Sequence, residues 1–445
     1  MDAKVLKKRV EEDDVKFISL QFTDVTGGVK SVDIPQTRLS KALEEGIWFD
    51  GSSVEGFARI QESDMHLVVD PDTYAVLPWS PPDRRRARFF CDIFLPDGSP
   101  FPGDPRGNLK RVLKKIEDQG WVLNIGAEPE FFLFKGNGIE SIHPVPHDVG
   151  GYFDFSAVDE AVRVRTEIMD ALSNMGLDVE MGHHEVALAQ HEIDFRFTDA
   201  LQAADKILTL KYTVKAIAAT HGLVASFMPK PIHGINGSGM HCNQSLFDSK
   251  GKNLFYDSQA DYYLSVLGRH FIAGQLKHAR AMSAVLSPTV NSYKRLVPGY
   301  EAPVYIGWAQ VNRSALIRIP SAGPGKESAV RAELRCPDPS ANPYLAFTVM
   351  LAAALDGIDN TIASSEPMND VNVYELTREE RKNKGILELP GSLAEALQEL
   401  DRDDVLKDAL GPVIFEAFSR AKWAEWNEYI TTVTDWEVQR YLQKA

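Results

Sequence analysis

Only three cysteines occur in the 445 residues, Cys91, Cys242 and Cys336, far apart and without Cys-x-x-Cys spacing. Their scarcity rules out a disulfide framework or a thiolate zinc cluster and points to a reducing, cytoplasmic compartment. No apolar run approaches the ~20 residues needed to span a bilayer. The longest, Tyr344 to Leu355, reads as a buried helix. Met1 to Val15 is charged and amphipathic rather than an apolar signal core, so no export address is expected. Positive charge is also short: the net charge is −15, which leaves no overall basic footprint for nucleic acid or an anionic membrane surface. Neither GxGxxG nor GxxxxGK[ST] occurs, which removes Rossmann and P-loop nucleotide sites. The HExxH zinc pattern fails because Leu188 stands where the second His belongs. Internal repeats and low-complexity segments are lacking too. What is present is an ordinary globular composition, 44% hydrophobic and 25% charged, in an enzyme-sized chain.

The first hundred residues read mainly as β-structure, with alternation over 17–22, a turn at Thr26-Gly27-Gly28, and alternation back over 29–34. A Pro- and Gly-dense stretch from Pro96 to Pro105 follows, then an amphipathic helix expected from Asn108 to Gly120. These features place a domain boundary near residue 103, giving units 1–103 and 104–445. In the second unit, strand-like runs at 121–134, 178–188, 191–197, 314–319 and 331–336 alternate with helical patterns near 157–175, 199–221, 259–280 and 342–357. The strands lie far apart and carry charge, which favours a largely antiparallel sheet backed by helices, an α+β fold. Beyond Ser392 the chain is expected to be helical. Its last segment, Trp426 to Leu442, carries more apolar surface than an exposed tail should, and reads either as an intersubunit clasp or as packing on the chain's own body.

Charge inside strand-like sequence is the strongest chemical signal. In Ala127-Glu128-Pro129-Glu130 followed by Phe131 to Phe134, alternation puts both carboxylates on one face. Two such groups repel and raise each other's pKa, which a divalent cation between or beside them relieves; the bland alternative is a solvated strand face. Glu185 and Glu192 flank a turn-sized interval and suit loop-held metal ligation, and oxygen-rich donors favour magnesium or manganese over zinc. Arg331, Glu333 and Arg335 share one strand face opposite Ala332, Leu334 and Cys336, while Arg313 and Arg318 bracket an apolar run. Either these are surface ion-pair ladders, worth little, or they grip a polyanion between arginine forks and metal ions, as phosphoryl transfer requires. The glycine-rich stretch from Lys230 to His241 lets backbone approach a ligand closely, though alone it reads as a turn.

Three segments in order make the pattern specific: Trp48-Phe49-Asp50-Gly51-Ser52-Ser53, Lys230 to Ser245, and Asn291 to Pro303. Over essentially the whole chain they resemble the glutamine synthetase family, in its type I bacterial and archaeal class. The resemblance implies an N-terminal β-grasp domain, a catalytic domain like that of guanidino kinases, and a homo-dodecamer of two stacked hexamers with active sites between neighbouring subunits. It implies ligation of ammonium to glutamate with ATP as cosubstrate, through γ-glutamyl phosphate, in nitrogen assimilation. At least two Mg2+ or Mn2+ ions would serve each site: Glu130, Glu185 and Glu192 around one, Glu128, His241 and Glu333 around the other. Asn236, Gly237, Arg295 and Arg335 match glutamate-binding positions. Arg313, Arg318 and Arg331 match nucleotide and phosphate contacts, and Ser245 a nucleotide contact. Asp50 of an adjacent subunit would hold ammonium, although an Asx-turn before Gly51 is the simpler local reading. Glu301 would close the site, and Arg313 would neutralise charge on the transferring phosphoryl group.

Arg59 matches the arginine of the subclass under glutamine feedback. The context of Tyr374 lacks the proline-containing acidic surroundings of adenylylated members, so no adenylylation is expected. Asn243 stands where that subclass carries His, and Ala189 replaces a common glycine between two metal ligands. Nitrogen-status regulatory proteins are conceivable partners for which no motif stands out; nucleic acid and membrane are not expected. Two rival readings are a γ-glutamyl-amine or polyamine ligase, against which Asp50 and Glu301 argue, and an inert regulatory relative, which should have lost metal or arginine positions.

Overall fold

A computed structural model of the protein describes residues 2–52, 54, 64–136, 144–155, 160–312, 315–323, 325–369, 373 and 375–444. Arg59, Arg313 and Tyr374 lie outside them.

The N-terminal part comprises α1 (Ala3–Glu12), β1 (Phe17–Thr23), β2 (Val29–Pro35), α2 (Leu39–Glu45), β3 (Ile47–Asp50), β4 (Asp64–Val69), β5 (Ala75–Val76) and β6 (Arg86–Phe94). The sheet runs β2-β1-β6-β4-β3, with β5 also on β6. Only β1 and β6 run parallel among the described pairs. The hairpin forms where alternation and the Gly27-Gly28 turn place it. Leu6, Ile18, Leu20, Leu67, Phe89 and Ile93 pack between helix and sheet as a core of their own.

The larger part begins with α3 (Pro105–Glu117), β7 (Trp121–Lys135), β8 (Val145–Pro146), α4 (Glu160–Asn174), β9 (Val179–His184), β10 (Gln190–Phe195), β11 (Thr198–Asp199) and α5 (Ala200–Thr220). It continues with β12 (Leu223–Ser226), β13 (Met240–Asp248), α6 (Val266–Leu286), α7 (Ser292–Arg295), β14 (Tyr305–Ala309), β15 (Ala315–Arg318), β16 (Ala332–Leu334) and α8 (Pro343–Asp359). Then come α9 (Arg378–Asn383), β17 (Leu387–Glu388), α10 (Leu393–Asp401), α11 (Asp404–Thr431) and α12 (Asp435–Tyr441). The strand order is β17-β14-β15-β16-β13-β7-β10-β9, antiparallel among the described pairs except β14 with β15. Strand β7 is its spine, pairing also with β8, β11 and β12.

The observed elements refine the sequence expectations at several places. Helix α3 starts at Pro105 rather than Asn108: Asp104 caps it by accepting from the Arg106 amide at 3.1 Å, and proline suits the first helical position. Helix α6 starts at Val266 rather than near 259, because Tyr262 and Tyr263 have positive φ and the Ser265 hydroxyl caps Gly268 at 3.1 Å. Glu192 sits within strand β10, inside the expected strand run 191–197, so of the two acids only Glu185 is held by the loop. And β13, unexpected because His241, Asn243 and Gln244 interrupt its apolar pattern, is a full partner of β7 from Met240 to Asp248.

A buried ionic hub joins the two parts. The Arg106 guanidinium, at the start of α3, meets Asp70 at 2.7 Å and Asp92 at 2.7 Å from the N-terminal sheet, and Asp205 of α5 at 3.0 Å. Tyr344 of α8 donates to Asp205 as well. Burial alone would lower the arginine's pKa, but Asp205, Tyr344 and Asp92 raise it well above its ordinary value. At the far end, α12 is a properly capped helix, with Thr434 and Glu437 forming a capping box. Even so, Ile430, Val433, Trp436 and Leu442 around it are exposed. Trp426, one helix earlier, packs on the main core.

Candidate active site

Sheet register builds the site. Glu128 and Glu130 are alternate residues of β7 on one face. Opposite Glu130 stands Glu192 of β10, and opposite Glu192 stands His183 of β9. On the other flank, Glu128 faces His241 of β13, whose Asn243 faces Glu333 of β16, and Glu333 faces Arg318 of β15. Six neighbouring strands therefore deliver two acidic nests side by side.

In the first nest, donor atoms of Glu128, His241 and Glu333 lie within 4.8 Å of one another. Arg318 holds the Glu333 carboxylate at 2.9 Å, and Asn243 donates to Glu128 at 2.7 Å while accepting from Arg331 Nε at 2.7 Å. In the second, His183, Glu185 and Glu192 meet the same criterion. Glu130, expected beside Glu185 and Glu192, accepts from Gln190 Nε2 at 2.7 Å and from the Gly239 amide at 3.0 Å.

The electrostatics of the nests are unbalanced. Burial, and then the facing Glu185, push Glu130 up to about 8 despite Arg295. Burial together with Glu130, Asp194, Glu128 and Glu185 pushes Glu192 up to about 12. Burial would also raise Glu128, but His241, Asn243 and Arg331 bring it below the ordinary carboxylate range. Carboxylates that force one another toward protonation are relieved by a hard cation among their oxygens, so these donor sets fit magnesium or manganese.

One open cleft is lined by Glu128, Glu130, Glu185, Glu192, His241 and Glu333, and also by Asn236, Gly237, Arg295, Glu301, Arg318 and Arg335. Arg335 is buried, yet its Nε and Nη1 make no hydrogen bond among the described residues. Nε lies 3.2 Å from Glu333 as an ion pair without hydrogen-bond geometry. A desolvated guanidinium with free donors is built to receive an anion. Arg295, by contrast, spends its donors on the backbone carbonyls of Arg335, Cys336 and Pro337 at 2.8–3.3 Å. Gly237 is required sterically, since a Cβ there would stand 2.1 Å from the Pro229 carbonyl oxygen. Glu301 reaches over the cleft in a left-handed conformation (φ 56°), accepting from Asn236 at 3.1 Å.

A second pocket adjoins through Glu128 and is lined by Ser245, Arg331, Asn243 and Phe197 among others. Two sequence-predicted residues of the nucleotide set therefore stand here, while Arg318 stands in the first cleft. Asp50 lines neither pocket of the single chain: it ends β3, and its Oδ1 accepts from the Ser52 amide at 2.8 Å, the Asx-turn geometry. Sequence reasoning missed His183, Gln190 and Tyr152, all beside the acidic nests or the cleft. His183 was readable once β9 and β10 are taken as a hairpin, because it falls directly across from Glu192. No sequence signal marked Tyr152.

Comparison with known proteins identifies the family. The family model for the glutamine synthetase catalytic domain matches residues 102–441, and that for the glutamine synthetase β-grasp domain matches 14–96. The chain is 52% identical over 433 residues to glutamine synthetase of Methanosarcina mazei, covering 97% of this chain and 96% of that one. It is 51% identical over 444 residues to that of Thermotoga maritima, covering 99% and 100%. Its fold matches a GmaS/ADP complex with a TM-score of 0.89 at 33% identity, covering 98% of this chain and 99% of that one. It also matches Plasmodium falciparum glutamine synthetase with a TM-score of 0.88 at 26% identity, covering 99% of each. With two family models accounting for nearly its whole length, the chain belongs to the glutamine synthetase family and is a glutamate–ammonia ligase.

Proposed function

We propose that the cleft activates the glutamate γ-carboxylate with the terminal phosphoryl group of ATP and then passes the acyl phosphate to ammonia. The observation that carries this reading is the pair of acidic nests on neighbouring strands, one holding Glu128 of β7 and the other lying beside Glu130, with the unsatisfied guanidinium of Arg335 next to them. Glu128, His241 and Glu333 would hold one Mg2+ or Mn2+, and Glu185 and Glu192, with Glu130 and His183 at hand, the other. Such ions neutralise phosphate charge and orient the carboxylate.

The nucleotide enters through the pocket of Ser245 and Arg331, so its phosphates point toward Glu128. Arg335 receives the glutamate anion, and Arg318 supplies positive charge toward the phosphates. Asn236 and Gly237 present the amino acid, and buried Arg295 braces the backbone of 335–337 beneath it. Glu301, by closing over Asn236, keeps water from the acyl phosphate. Arg313 keeps the charge-neutralising role that its motif position suggests. Asp50 would complete the ammonium site from a neighbouring subunit, which accords with its place at a sheet edge. We place the domain boundary near residue 103. A dodecamer of two stacked hexamers gives the exposed apolar surface of 430–442 a place to dock as an intersubunit clasp, and Arg59 a role in glutamine feedback.

The test is phosphate release from ATP and glutamate with ammonium or a panel of amines, in the presence of Mg2+ or Mn2+. Ammonium-dependent release with glutamine as product is expected. Preference for an amine would point to a different ligase, and inactivity of the intact oligomer with both metals would sink the reading.

A further inference from the structure

Behind the turn that carries Glu185 and leads into the strand of Glu192 lies a cluster that the cleft does not use. Asp148 is its centre. Its Oδ1 accepts from the Ala189 amide at 2.8 Å and from the Gly150 amide at 3.3 Å, and its Oδ2 lies 2.9 Å from His147 Nε2. His184 Nε2 sits 3.2 Å from the same carboxylate, and its other ring nitrogen is 2.7 Å from the Glu185 carbonyl oxygen. Asp148 thus grips the metal-bearing turn at both ends, directly at Ala189 and through His184 at Glu185. The loop that carries it is moulded on His184: a Cβ at Gly150 would come within 2.6 Å of Nε2, and the Phe153 amide donates to the His184 carbonyl at 3.0 Å.

Ala189 is the weak point of that turn. It is fully buried with φ 60°, the left-handed region that a β-carbon disfavours. Its carbonyl accepts from Leu133 of β7 at 2.9 Å, so Asp148 and β7 hold this one strained residue from opposite sides.

We propose that Asp148 is a positioning residue for the cation site: by holding Ala189 in its left-handed turn and bracing His184, it sets where the Glu185 and Glu192 carboxylates stand. This rests on the reading that those carboxylates bind a cation. Direct ligation by His147, Asp148 and His191, whose donor atoms also lie within 4.8 Å of one another, is disfavoured by Arg165. Its Nη1 is 3.0 Å from His191 Nδ1 and can only donate, which leaves the neutral ring's proton on Nε2, the atom a metal would need.

The experiment measures Mn2+ binding to the assembled protein by calorimetry and electron paramagnetic resonance, the Mg2+ concentration for half-maximal activity, thermal unfolding and assembly size. Asp148→Ala is expected to weaken one cation site about tenfold or more and to raise the Mg2+ requirement in parallel. Asp148→Asn, which keeps an acceptor for Ala189, should lose about threefold, and it carries the test if the alanine variant does not assemble. Ala189→Gly should restore most of the loss in either background, because glycine adopts the left-handed turn unaided. A merely structural role would lower stability without shifting the Mg2+ requirement, and glycine would not rescue it.

Unchanged Mn2+ affinity in Asp148→Ala or Asp148→Asn, or no rescue by Ala189→Gly, overturns the proposal. So does loss of an entire extra equivalent of bound metal, which would mean direct ligation. Glu192→Gln is the separate control: if it leaves Mn2+ binding intact, the underlying cation reading fails whatever the Asp148 variants do.

Discussion

Two regions of this molecule gather charge out of water, and they do so in opposite ways. Around Arg106, three carboxylates converge on one guanidinium with good hydrogen bonds, and the arginine is held charged. In the cleft, Glu130 and Glu192 face other acids and are driven toward protonation. In the first, each of the three carboxylates is paired with a cation, and the cluster joins two parts of the fold. The second gains such pairing only when something positive arrives. Whether each acid has a hydrogen-bonded cation partner, rather than charge density, separates the two clusters here.

The strongest way to break the comparison is Glu130→Gln. Removing a repelling carboxylate should raise the melting temperature of metal-free protein while cutting glutamine formation by about 10²–10³-fold, measured by calorimetry and a coupled assay. Arg106→Met should do the reverse. It strands Asp70, Asp92 and Asp205, costing about 3–5 kcal/mol in chemical unfolding, and the activity of whatever fraction stays folded should be little changed.

A pH titration sharpens the contrast with a smaller effect. Because Glu130 is raised in the fold, the native state holds a proton that the unfolded chain has released, so metal-free stability should fall as pH rises from about 4.5 to about 8. Saturating Mg2+ should flatten that slope, and a slope unaffected by Mg2+ would contradict the cation reading.

Much of this was legible in the sequence for a simple reason: strand alternation is a strict period of two. It places Glu128 and Glu130 on one face, and Glu333 with Arg335, from the sequence alone. Strand β13 escaped because its working residues, His241 and Asn243, replace the apolar ones that would announce a strand. The acidic turn between β9 and β10 was only half legible. Glu185 and Glu192 stood out by chemistry, but the hairpin that brings His183 across from Glu192 did not. Asp148 was invisible, since it meets Ala189 across 41 residues of chain and no local pattern encodes that meeting. The ionic hub was likewise unreadable, its partners being spread from Asp70 to Tyr344. Periodicity reports what a single element faces; it carries no information on which distant elements meet.

Strand β7 carries Glu128 of one nest and Glu130, beside the other, on alternate residues of one unbroken backbone. Two residues of extended chain span about 7 Å, so the interval between the nests is metered by covalent bonds rather than by how loops or subunits settle. Homologues adapted to heat or cold can therefore restyle their surfaces, turns and assembly contacts freely while that interval stays put, like graduations on a ruler whose handle has been replaced.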